Sequence, residues 1–186
     1  MDKNELIDAV FGLADPERWG KKPSRASCAA MMAYLAFVAW GMKTGWVPLL
    51  DSCTLIIHEA GHPILGMLSE RLMVYGGSLF QLLFPACFLV PFYKQGEPLG
   101  FIFAASWVGA SFHNLGIYIA DARSMELPLV GNGDRIHDWN FILDSWGRLH
   151  WDGPLSGLAF LLAWSLWIVS MAAVARFFFA AESSSS

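Results

Sequence analysis

Leu55-Ile56-Ile57-His58-Glu59-Ala60-Gly61-His62-Pro63-Ile64-Leu65 places a His-Glu-x-x-His pattern inside an apolar run. On a helix, residues four apart lie about 40° apart around the axis, so both imidazoles can face one ion. Glu59 can then reach a water on that metal as general base. The bland alternative is a pair of core histidines satisfied by hydrogen bonds. The lipid-like flanks weigh against it, because ionisable residues within spanning segments are expensive and usually functional.

The rest of the chain has the composition of a polytopic membrane protein. Of 186 residues, 55% are hydrophobic and 15% charged, and the mean hydropathy is +0.45. That is too apolar for an ordinary soluble domain. A net charge of −4 without a basic stripe gives no reason to expect nucleic acid as a partner. Cys28, Cys53 and Cys87 sit in apolar runs without CxxC spacing, so we expect small buried hydrophobes rather than disulfides or ligands.

The expected fold is all-α: a transmembrane helix bundle of about five spans, near 26–50, 52–68, 79–93, 99–120 and 155–175. Residues 1–25 form a cytoplasmic segment in which Leu6, Ile7, Val10, Phe11 and Ala14 recur at helical spacing, as in an amphipathic surface helix. It is not a cleavable signal, because polar, mixed-charge residues precede the first apolar run. Residues 26–181 make a single transmembrane domain, and 182–186 a polar, disordered tail. Asp51 and Ser52 suit the N-cap of the second span. Val74-Tyr75-Gly76-Gly77-Ser78 reads as a turn at the membrane edge, and Gly131-Asn132-Gly133-Asp134 as another. Pro63, Pro85 and Pro91 should bend their helices. Asn140 to Trp151, rich in tryptophan, reads as an interfacial amphipathic piece before the last span.

Basic residues give the orientation. With five spans and the N-terminus inside, Lys3, Arg18, Lys21, Lys22, Arg25, Arg71, Arg123, Arg135 and Arg148 fall on the cytoplasmic side. Only Lys43, Lys94 and Arg176 fall outside, as the positive-inside rule requires. We expect an integral protein of a bacterial inner membrane, with the lipid bilayer as its surroundings.

The fourth span has a polar second half holding Ser111, His113, Asn114, Tyr118 and Asp121. Asn114 and Asp121, seven apart, lie within roughly 20° on a helix, and polar faces of spanning helices look inward. His113 also suits a helix-to-helix hydrogen bond. Asp121 also suits a helix end paired with Arg123 or Arg148. His137-Asp138 suits an N-cap before Trp139, and could equally fold back from its loop toward the metal.

His58-Glu59-Ala60-Gly61-His62, the Gly76-Gly77 pair, and Asn114 with Asp121 together resemble the site-2 protease group of intramembrane zinc metalloproteases. The resemblance covers roughly residues 50–122. It implies that His58 and His62 bind Zn2+, that Glu59 activates water, and that Asp121 is the third ligand. Residues 120–122 are Ala-Asp-Ala where that group has Leu-Asp-Gly, and its prolines after the Asn are missing. Tyr118 to Arg123 and His137-Asp138-Trp139 look more like a small bacterial membrane-protein group related to it. Depth along the helices competes with the resemblance. Asp121 lies about 33 Å along its helix and His113 about 21 Å, against about 10–16 Å for the paired histidines. His113 and His137 therefore stand as alternative third ligands.

Two functions follow. One is a membrane-embedded zinc metallopeptidase that cuts a membrane-protein or peptide substrate in or near a spanning segment. There Glu59 is the base, a water on the His58/His62 zinc is the nucleophile, and Asn114 steadies the oxyanion or the substrate strand. The other is a non-proteolytic accessory or assembly subunit, bound to partner membrane subunits, with a structural metal or none. Metal transport would need a polar path that most spans lack.

Overall fold

Every regular element among the described residues is helical. The computed structural model describes residues 19–128 and 137–183. The amphipathic helix expected near the N-terminus, the Gly131–Asp134 turn, Arg135, and residues 184–186 of the tail lie outside them.

Helix α1 spans Arg25–Thr44, where the Ser24 hydroxyl caps the start by accepting from Ser27 N at 3.1 Å. The apolar run continues to Leu50, but the helix stops at Gly45, whose φ of 88° is the left-handed cap that glycine takes without strain. Helix α2, Leu50–Gly66, then starts at Leu49 with no side-chain cap. Asp51 does not cap it as expected: its Oδ2 accepts instead from Val47 N at 2.7 Å, fixing the tight turn before the helix. Pro63 is carried within α2.

Helix α3, Glu70–Ala86, begins at the Ser69 cap, nine residues earlier than the apolar run suggests. Gly76-Gly77 is therefore mid-helix and not a turn. A Cβ on Gly61 would stand 2.2 Å from the Gly76 carbonyl oxygen, and one on Gly76 would stand 2.2 Å from that of Gly61. The two glycines let the backbones of α2 and α3 touch. A short helix α4, Leu89–Lys94, follows the break after Pro85. Helix α5 occupies Pro98–Ala120.

Helix α6, Asp138–Ser145, and a 3-10 turn, Leu149–Trp151, replace the single interfacial piece expected there. Helix α7 runs Asp152–Ser183, longer at both ends than its apolar run. Its start is held by an ion pair between Arg123 and the buried Asp152 carboxylate.

Two helix pairs organise the bundle: α2 packs on α3, and α5 on α7. Gly109 and Gly116 ease the second contact, lying against the Ala163 carbonyl and the Phe160 ring. Helix α1 covers α7, with Leu35, Cys28, Val174 and Phe177 in one core cluster and Val38, Met42, Ala110 and Ala163 in another. Trp107 Nε1 donating to Thr54 Oγ1 (3.0 Å) and Gln81 Nε2 donating to the Ser111 carbonyl (3.1 Å) join the pairs along α5.

Three stretches, Arg25–Thr44, Glu70–Lys94 and Leu149–Ala181, are long and apolar enough to cross a membrane. Large apolar side chains cover the exterior, among them Ile56, Met67, Leu68, Leu161 and Phe179, which is compatible with a lipid-facing surface. Cys28 is buried as expected, whereas Cys53 and Cys87 are exposed and belong to that apolar exterior.

Candidate metal centre

The buried stripe of α2 (Asp51, Thr54, His58 and Gly61) turns His58 toward α3 and the start of α6. His58 and His62 stand one turn apart with ring centroids 5.0 Å apart. The third member of the site is Asp138, the first residue of α6. Its Oδ2 lies 3.2 Å from His58 Nε2 and 3.3 Å from His62 Nε2. One ligand atom from each of the three residues falls within 4.8 Å of the others.

The partners of the outward nitrogens assign the tautomers. His58 Nδ1 lies 2.7 Å from Gln81 Oε1. The Gln81 amide nitrogen is already donating to Ser111, so its oxygen must accept and His58 Nδ1 must carry the proton. His62 Nδ1 lies 2.9 Å from the Met73 carbonyl, which can only accept. In the neutral rings both Nε2 atoms therefore present lone pairs to a carboxylate oxygen. Three acceptors meet with no donor between them, so a positive charge belongs among them: an extra proton or a metal ion. Two imidazoles whose far N–H groups are committed to an amide and a carbonyl, with one carboxylate, match a metal-ligand set and its supporting shell.

The fit around the ring is close. A Cβ on Gly77 would stand 2.4 Å from His58 Nε2, so only glycine leaves room for the imidazole. Ser78, the next residue, accepts from Trp139 Nε1 at 3.0 Å and ties α3 to α6 beside Asp138. Gln81→Leu keeps the volume and removes the acceptor. It should weaken metal binding by about 10–100-fold while helix content is kept, as competition with a chromophoric chelator would measure.

The other sequence candidates lie elsewhere. Asp121, at the end of α5, spends its oxygens locally. Oδ1 accepts from Ser124 Oγ (2.7 Å) and Glu126 N (2.9 Å), and Oδ2 from Leu127 N (3.0 Å) and His137 Nε2 (3.2 Å). His137 Nδ1 accepts from Asn140 N at 3.2 Å, so His137 is the N-cap of α6 and uses both nitrogens. The structure thus pairs Asp121 with His137, and Arg123 with Asp152. His113 faces α7, against the Phe160 and Trp164 rings, away from the centre. Glu59 and Asn114 line a cavity of about 270 Å³ together with His58, Leu55, Gln81 and Tyr118.

Burial pushes the Asp121 carboxyl up, but the hydrogen bonds from Ser124, Glu126 and Leu127, with His137 opposite, outweigh it and the net shift is downward. A depressed carboxyl stabilises its turn fully above the unfolded value of about 3.9, and the stabilisation fades as pH falls through the folded value. The Glu126 and Leu127 amides should therefore stay protected from hydrogen exchange at neutral pH and lose protection only below about pH 4. In Asp121→Asn that pH dependence should vanish.

Sequence reasoning had no place for Gln81 or the Met73 carbonyl, and named Tyr118 only as one of the polar residues in the second half of the fourth span. Gln81 left a signal: it is a lone amide in the apolar run Leu79 to Phe84, where a polar group needs a partner. No protein-family model matches the chain, and no curated protein or solved structure matches it.

Proposed function

We propose that this protein is a membrane-embedded zinc metallopeptidase that hydrolyses a peptide bond in or near a spanning segment. In this reading α2 and α5 also lie in the bilayer. They make five crossings with α1, α3–α4 and α7, in a bacterial inner membrane with the N-terminus cytoplasmic. The observation that carries the reading is the convergence of His58 Nε2, His62 Nε2 and one Asp138 oxygen, with the far nitrogen of each ring held by Gln81 or the Met73 carbonyl.

His58, His62 and Asp138 would hold the ion, which replaces Asp121 with Asp138 as third ligand. Three protein ligands leave a position open to solvent, the arrangement of hydrolytic rather than structural zinc sites. Zinc, when bound, supplies Lewis acidity toward a water and a peptide carbonyl. Glu59, next to His58 and on the cavity wall, takes the proton from the attacking water and passes it to the departing amine. Asn114, on the same wall, offers an amide to the substrate backbone. Gln81 and the Met73 carbonyl hold the two rings in register.

A quantitative membrane proteome of cells carrying Glu59→Gln tests this reading. The expected result is one or a few membrane proteins accumulating uncut, with the variant still loaded with metal. An unchanged proteome alongside full metal content would favour the accessory-subunit reading.

A further inference from the structure

Tyr118 has a place in the centre that neither the histidine motif nor the carboxylates account for. It stands one turn beyond Asn114 on α5, on the same cavity wall as His58 and Glu59. Its hydroxyl oxygen accepts from the backbone N–H of Asp138 at 3.0 Å, one peptide unit from the carboxylate that faces both imidazoles. The ring is gripped from two sides. It meets His58 edge-on, with centroids 5.8 Å apart, and lies against His137 at 4.3 Å.

A phenol keeps its proton at neutral pH. Accepting from Asp138 N uses a lone pair and leaves the O–H free to donate. Among the described residues no acceptor takes that proton. A donor with a fixed position and no protein acceptor, beside a cation site and on a cavity wall, is the arrangement that stabilises developing negative charge.

Resting on the hydrolase reading above, we infer that Tyr118 donates a hydrogen bond to the oxygen that becomes anionic beside the ion. The opposing view makes Tyr118 only a tie between α5 and α6.

The test uses full-length protein in detergent, loaded with Co2+ and titrated with azide, with the visible ligand-field spectrum as readout. With both proteins held at full Co2+ loading, so that any affinity lost with the tie to Asp138 N is offset, Tyr118→Phe should weaken azide binding by about tenfold, the loss expected for a hydrogen bond to an anion. A fluorotyrosine at position 118, whose more acidic hydroxyl donates more strongly, should tighten azide binding. Equal azide affinity in wild type and Tyr118→Phe, or no tightening with the fluorinated side chain, overturns the inference and leaves a structural tie. Failure of the parent reading looks different: the wild-type protein then takes up no Co2+, or its Co2+ spectrum ignores azide.

Discussion

Asp138→Ala, purified at neutral pH, is expected to lose essentially all bound metal, whereas Asp121→Asn keeps it. Asp138 supplies the only anionic atom among the three that converge, at 3.2 and 3.3 Å from the two imidazole nitrogens. Removing a supporting hydrogen bond around a metal site costs about 10–100-fold in affinity, so losing a charged ligand should cost at least about 100-fold. Asp121 has no such place. Its four hydrogen bonds go to Ser124, Glu126, Leu127 and His137, and its loss should loosen that turn without emptying the centre. Metal analysis of the two variants beside wild type checks both halves. The opposite pattern would return Asp121 to the role that the resemblance implies.

Gly77→Ala and Gly61→Ala are expected to fail in different ways, although both add one methyl group to a helix. At Gly77 the new Cβ meets the end of the His58 ring at 2.4 Å. A side chain can swing aside, and alanine is the better helix former by up to about 1 kcal/mol, so the fold should survive. The ring leaves the centre, and metal content should drop as severely as in His58→Ala. At Gly61 the Cβ meets the Gly76 backbone at 2.2 Å, and backbone cannot swing aside. Helices α2 and α3 must then separate, at a cost of about 3 kcal/mol or more, the upper end of overpacking penalties. Thermal unfolding in detergent should fall sharply for Gly61→Ala and little for Gly77→Ala. Metal analysis should find both depleted.

The same glycines show why part of this site could not be read in one dimension. Two adjacent glycines suggest a turn because glycine is the usual turn residue. Here they sit inside α3, and the demand for them comes from Gly61 and His58, more than a dozen residues away. Local pattern carried what depends on local pattern. The spacing of His58 and His62 brings the two rings to one side of α2, and α5 stands where the apolar run from Leu99 to Ala120 lies. Asp138 lies 80 residues on from His58, beyond a stretch of sequence without hydrophobic periodicity. The dipeptide His137-Asp138 was visible as an N-cap and as a candidate to fold back, and each residue takes one of those parts: His137 caps α6 and Asp138 turns inward. Depth along α5 did speak against Asp121. It favoured His113, which the structure turns toward the Phe160 and Trp164 rings of α7, and it had no means of pointing to Asp138.

Zinc K-edge X-ray absorption on the purified wild-type protein tests the central claim most directly. The account predicts bound zinc with nitrogen and oxygen scatterers at about 2.0 Å, two of them showing the outer-shell pattern of imidazole, and no sulfur. A folded protein with no zinc at neutral pH, or zinc held by thiolates, would contradict it.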